Sequence, residues 1–208
     1  MKVAVIGSTG GTGRKVIEQA LERGHDVIAL ARRPEAIAMK HERLEARRAD
    51  VRDLASLERA LAGVDVVVST FGAARSSLFG KVTVYSEGGD NLVAAMKKLG
   101  IDRLVVVTSG GVEDDDPSFE WFYARVLRPL LLKRAYDDMK RLESIVRKSG
   151  LEWTLVRPPQ LTDAALTGTY RVSPRFAPEG GVQLSRADLA HFLLEEAEHS
   201  QWVRGTPT

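Results

Sequence analysis

Glycines at the spacing of Gly7-Ser8-Thr9-Gly10-Gly11-Thr12-Gly13, directly after the apolar run Val3-Ala4-Val5-Ile6, suit the binding of a phosphate pair. Phosphate oxygens reach backbone N–H groups closely only where side chains are missing, and a helix opening near Thr12 adds its positive end. Gly7 would allow the tight turn, Gly10 would clear room for a pyrophosphate, and Gly13 would let helix and strand pack closely. A glycine-rich turn without a ligand is the plainer alternative. The setting between a buried strand and an amphipathic helix favours a dinucleotide.

Two guanidinium groups follow the second apolar run in Ala29-Leu30-Ala31-Arg32-Arg33, where an NAD-preferring site would carry an acid for the ribose 2′-OH. Paired arginines suit a 2′-phosphate through bidentate, charge-assisted bonds, and Arg14 would add to the same pocket. Residues 32 to 52 hold seven Arg or Lys against four Asp or Glu, a local +3 in a chain of net charge +2. The expected cofactor is therefore NADP(H), the alternative being that both arginines are solvated loop residues. Asp50 would accept from an adenine amino group while Val51 covers the ring, unless Asp50 is only a turn residue before a helix cap at Asp53. Thr70-Phe71-Gly72 ends the fourth apolar run, where Gly72 permits close backbone approach to the cofactor.

Tyr136 and Lys140 stand one helical turn apart, so the lysine could lower the phenol pKa and make it a usable acid. Such pairs also arise by chance on helices, and surface or pocket-lining roles remain open. Glu143 would pair with Lys140. Phe119, Trp121, Phe122 and Tyr123 offer planar surfaces, and Arg125, Arg128, Lys133, Arg134 and Arg175 offer counter-charges, which together suit a flat, anionic acceptor. His25, His41, His191 and His199 lack ligand spacing, so no metal site is expected.

These residues need elements to hold them. Strand-like runs lie at residues 2–6, 26–30, 43–49, 64–70, 103–108 and 151–156, and uninterrupted Val66-Val67-Val68 and Val105-Val106-Val107 suit strands covered on both faces. Helices are expected at 12–23, from Asp53 to Gly63, at 87–99, at 133–149 and, opened by a Ser185–Asp188 capping box, at 186–198. Glycine follows the first four as a left-handed cap. The six β–α repeats predict a doubly wound parallel sheet in three layers, α/β/α, within one domain spanning 1–208. Residues 1–157 would form the cofactor-binding core and 158–208 a short C-terminal substrate-side extension. A small strand pair is expected between Thr169–Ser173 and Gly181–Ser185.

Hydrophobic residues make up 44% and charged residues 28%, ordinary for a globular chain, and a net charge of +2 argues against a nucleic-acid binder. With no cysteine, thiol catalysis and cysteine-ligated zinc are excluded. No apolar stretch approaches a membrane span and no signal-peptide layout opens the chain, so a cytoplasmic protein, monomeric or weakly self-associating, is expected.

The chain resembles the atypical short-chain dehydrogenases/reductases, nearest the biliverdin-IXβ reductase and NADPH-dependent flavin reductase group, over almost its whole length. The likeness is carried by the glycine turn, Ser86-Glu87-Gly88 with Asn91-Leu92-Val93-Ala94-Ala95-Met96-Lys97, Thr108-Ser109, Arg157-Pro158-Pro159, Leu166-Thr167-Gly168-Thr169-Tyr170 and Asp188-Leu189-Ala190-His191-Phe192. It implies a Rossmann reductase passing hydride from NADPH to a flavin, quinone or biliverdin. It further implies that Thr108 and Ser109 lie by the nicotinamide, with Ser109 relaying a proton or orienting the acceptor, and that Pro158-Pro159-Gln160-Leu161 borders the ring. That group does not depend on a tyrosine at position 136. Its members keep aromatic residues just after the serine, whereas Gly110-Gly111-Val112 stands here, a departure that bears on bilin specificity. Two other readings stay open: an NADP(H)-binding redox sensor without turnover, and a sugar-nucleotide epimerase or dehydratase, disfavoured by the short C-terminal segment.

Overall fold

The computed structural model describes residues 1–73, 82–113 and 133–208. Continuous apolar runs become the strands of a parallel sheet: β1 Lys2–Ile6, β2 Asp26–Ala31, β3 Leu44–Arg48, β4 Val66–Ser69, β5 Arg103–Val107 and β6 Glu152–Val156. Their order is β3-β2-β1-β4-β5-β6, so the winding direction reverses between β1 and β4 and opens a crevice at their carboxyl ends. The helices are α1 Gly11–Glu22, α2 Leu54–Ala60, α3 Val84–Leu99, α4 Lys133–Arg147 and α5 Arg186–His199.

Alternation along each strand feeds two cores. In β1, Ala4 and Ile6 join the side chains of α2, α3 and α4 on one face, while Val3 and Val5 join α1 and α5 on the other. This is the expected doubly wound α/β/α arrangement. Gly24, Gly63, Gly100 and Gly150 all take positive φ at the helix ends, as their positions predicted.

Two expectations are corrected. The connection from β2 to β3 holds no helix; Pro34–Ala36 makes a single 3-10 turn, so the repeat is incomplete at the sheet edge. The edge strand β3 is partly exposed and carries Glu45, Arg47 and Arg48, charges that discourage pairing with another sheet. The small pair is β7 Gln160–Thr162 with β8 Gln183–Ser185, in parallel, rather than one built from Thr169–Ser173. Ser173 instead exchanges backbone bonds with Thr208 at 2.9 and 2.8 Å. Residues 204–207 also run along β6: Gly205 C=O accepts from Leu155 at 3.1 Å and Pro207 C=O from Arg157 at 2.9 Å, covering that sheet edge.

Candidate functional site

Gly7 turns the chain at φ +84°, and a Cβ there would meet the backbone of Thr70 and Phe71 at 2.8 Å. A Cβ on Gly13 would run into the Gly7 carbonyl, which is why α1 can start directly beneath the turn. Ser8 closes the turn from inside, its hydroxyl donating to Leu30 C=O at 2.7 Å. Thr70 Oγ1 donates to Ile6 C=O at 2.9 Å and fixes the facing strand end.

The start of α1 differs from those of α2, α3 and α5. Asp53 caps α2 and Ser185 caps α5 with their side chains. Buried Asp138 reaches over from α4 to accept from Tyr85 N–H and the Ser86 hydroxyl at the start of α3. Gly10 gives α1 no side-chain cap, and the first intrahelical bond runs from Arg14 N–H to Gly10 C=O at 3.0 Å. The N–H groups of Gly11, Thr12 and Gly13 precede it and have no intrahelical acceptor, so an anion could satisfy them.

Above this turn lies a groove of about 350 Å³, lined by Gly7, Thr9, Gly10, Arg32, Asp50, Val51, Thr70, Phe71 and Gly72 among others. Nine residues expected from the sequence at a cofactor site thus converge on one space. Arg32 lines it at the end of β2, and Arg33, next in the chain and also exposed, is not among the lining residues. No described side chain bonds to either. Asp50 accepts from Arg52 N–H at 3.0 Å, so the turn role holds, and the carboxylate still faces the groove. Val51 is set from below: Asn91 donates to its C=O at 3.0 Å, and Gly88 leaves the room that Val51 and Phe71 occupy. The Ser86-to-Asn91 segment therefore supports the groove floor. Tyr85 adds to it, stacking on Phe71 and accepting Ala73 N–H at 3.1 Å.

At the far end of the sheet, Gly110 N–H donates to Pro158 C=O at 3.0 Å and draws the ends of β5 and β6 together. Ser109, half-buried, accepts from Gly111 N–H at 3.3 Å, so its hydroxyl caps the 3-10 turn Gly110–Val112. Tyr136 is buried with its ring against Gly111, so close that any side chain at 111 would strike it. Lys140 sits further along α4, bordering a shallow pocket with Arg157 and Val112. The predicted Lys140–Glu143 pair gives way to a different network: buried Glu143 accepts from Arg157 at 2.7 Å and from the Thr108 hydroxyl at 2.9 Å. Arg157 also binds Glu113 at 2.6 Å. Burial opposes charge on Glu113, but Arg157 and Arg175 outweigh it and hold the carboxyl below its usual range. Arg175, expected as an acceptor counter-charge, is thereby partly engaged.

Gln160 and Leu161 fall in β7, with Pro158 buried just before them. Trp121 and Phe122, with the neighbouring aromatic and basic residues 119–128, lie outside the described residues. The four histidines serve locally, as His25 on Glu198 at 2.6 Å and His191 on Tyr170 at 2.9 Å illustrate. Glu195, Glu198 and His199 gather on α5, but Arg23 already pairs with both glutamates. Sequence reasoning missed Arg186, whose side chain crosses Gly11 at the start of α1; its position just after the Ser185 cap was the available signal.

A family model described as NAD(P)H-binding matches residues 7–200. The uncharacterized protein YwnB of Bacillus subtilis is 27% identical over 97% of this chain and 94% of its own length. Among solved structures, a short-chain dehydrogenase/reductase from Veillonella parvula in complex with NADP superposes with a TM-score of 0.79 at 18% identity, covering 99% of this chain and 92% of that one. ChuY, an anaerobilin reductase from Escherichia coli O157:H7, gives a TM-score of 0.79 at 22% identity over 100% of this chain and 96% of that one. At such identities the two structures speak for the fold.

Proposed function

The chain belongs to this NAD(P)H-binding family, and from that premise we propose that it is an NADPH-dependent reductase of a planar acceptor such as a flavin, quinone or biliverdin. The observation that carries the NADPH preference is the pair Arg32 and Arg33, exposed beside the groove with no described partner. A 2′-phosphate placed there gains the bidentate bonds that a bare hydroxyl cannot offer. When bound, the nicotinamide supplies the hydride.

The chain's own residues do the holding. The uncapped start of α1 takes the pyrophosphate, while Asp50 and Val51 take the adenine. Thr70, Phe71 and Gly72 wall the groove, and Thr108, Ser109 and the Pro158–Leu161 segment border the ring. Residues 1–157 form the cofactor core in this reading, and 158–208 shape the acceptor side. Ser109 orients the acceptor or passes a proton, since its oxygen accepts from Gly111 N–H and leaves its own O–H to donate. Tyr136, packed against the same turn, is the second proton source to test. The absence of cysteine suits a reducing cytoplasm.

Mixing the protein with NADPH and, separately, FMN, biliverdin or a quinone dye tests the reading by absorbance at the nicotinamide band. Saturable oxidation with any of them supports a reductase. Tight NADPH binding without turnover on all three supports the sensor reading instead.

A further inference from the structure

We propose that Arg186 is a cofactor-contacting residue: its guanidinium leaves Asp163 on binding and holds the dinucleotide's pyrophosphate beside the glycine turn. The proposal rests on the NAD(P)H-binding reading above and adds a residue from outside the glycine turn and the β-strand ends.

The placement is tight. Arg186 Cδ and Nε lie 2.8 and 3.0 Å from where a Cβ on Gly11 would project, so a side chain at 11 would displace the arginine. Gly11 is the first residue of α1, where the uncapped N–H groups gather. The missing side chain thus makes room for Arg186 beside the phosphate position. Its root is fixed on two sides. Ser185 caps α5, accepting from Asp188 N–H at 2.8 Å, and Gln19 of α1 donates to Ala187 C=O at 2.9 Å. The first turn of α5 is therefore held against α1, and only the distal part of the side chain needs to move.

Its present partner is a weak one. Arg186 Nη1 binds Asp163 Oδ1 at 2.7 Å, but the Asp163 side chain is 89% exposed while that of Arg186 is 29% exposed. A pair with so solvated a carboxylate contributes little. A pyrophosphate brings two negative charges to a turn whose own donors are neutral N–H groups, and a guanidinium binds phosphate through a planar fork. The exchange of Asp163 for phosphate is favourable on those grounds. Asp163 follows β7 and acts as a placeholder that keeps the fork aimed at the turn.

The test measures dissociation constants of the full chain for NADPH, NADH and 2′-AMP by calorimetry, in the unaltered protein, Arg186→Gln and Asp163→Asn. NADPH and NADH share the pyrophosphate; 2′-AMP carries only the 2′-phosphate and adenosine. Loss of one charge-assisted contact, offset by release of Asp163, predicts about tenfold weaker NADPH and NADH binding in Arg186→Gln, with 2′-AMP unchanged. Asp163→Asn removes the competitor without touching the turn and tightens both dinucleotides by roughly threefold on the same grounds. Unchanged dinucleotide affinity in Arg186→Gln overturns the proposal, as does an equal loss for 2′-AMP, which marks a disturbed groove rather than a missing pyrophosphate contact. If the unaltered protein binds none of the three, the NAD(P)H reading itself falls first.

Discussion

Arg32 and Arg33 are set apart by their place, exposed at the end of β2, where Arg32 lines the groove. Arg47, Arg103 and Arg157 each bind a carboxylate, the last two in buried pairs, whereas Arg32 and Arg33, like exposed Arg14, Arg48, Arg59 and Arg171, have no side-chain partner among the described residues. Replacing both with serine removes the recognition of a 2′-phosphate and leaves everything NADH uses. NADPH affinity is expected to fall by about a hundredfold, the scale of two lost charge-assisted contacts, with NADH affinity nearly constant. Comparative titrations of the two cofactors read this directly. Gly13 makes a different prediction, because the obstacle to a side chain is the Gly7 carbonyl, which is backbone and cannot swing away. Gly13→Ala should cost roughly 2 kcal/mol of stability by overpacking, seen as a lower urea midpoint, and should weaken both cofactors. These residues were legible in the sequence because turn glycines and strand-end charges act locally. Ser109 was less so: its type and place were readable, but the engagement of its hydroxyl by Gly111 N–H depends on how the following turn folds.

At the level of elements, two buried aspartates tie separate parts of the chain together. Asp138 serves α3 from α4, and Asp188 ties the Thr167-Gly168 turn to α5, accepting from both N–H groups at 2.8 and 2.9 Å. Burial alone would raise the Asp188 pKa; the N–H groups of Thr167 and Gly168 and the Ser185 and Thr167 hydroxyls outweigh it, and the net shift is downward from 3.8. A carboxylate depressed on folding adds stability that is complete above its unfolded pKa and is lost as pH falls through the folded one. Asp188→Asn should therefore cost about 2 kcal/mol at pH 7, since buried N–H donors lose a charged acceptor. The gap to the unaltered protein should narrow as pH falls below 3.8. Urea midpoints at pH 7 and in acid would show it, and a gap that stays constant would refute the assignment. Helix ends were readable from glycines and caps. The partner of β8 was not, because Gln160–Thr162 returns from across twenty residues of loop and Thr169–Ser173 looked as strand-like. The connection between β2 and β3 was also hard to read: Ala36-Ile37-Ala38-Met39 is a short apolar run, and Ile37 and Met39 pack against the core on the α1–α5 face without forming a helix.

For the whole molecule, the reversal between β1 and β4 decides where a ligand can lie, and α5 joins α1 on one face to carry the C-terminal segment to the glycine turn. No helix among the described residues is long and apolar enough to cross a membrane. The sheet could be anticipated because continuous Val-rich runs have few other uses. The acceptor could not, since acceptor contacts come from loops whose side chains meet only after folding, and the aromatic candidates at 121 and 122 lie outside the described residues. Ligand linkage acts at this scale. NADPH at one hundred times its dissociation constant should add about 2.7 kcal/mol to the folded state, raising the melting temperature by roughly 5–10 °C for a chain of this size. NADH at the same concentration should raise it far less.

Calorimetric titration of the protein with NADPH and with NADH, under identical buffer, bears most directly on the central claim that the glycine turn and the guanidiniums of Arg32 and Arg33 form one dinucleotide site. The account predicts saturable heat at one NADPH per chain, with NADH at least tenfold weaker for want of the 2′-phosphate contact. Heat with neither cofactor, or equal affinity for both, would contradict it.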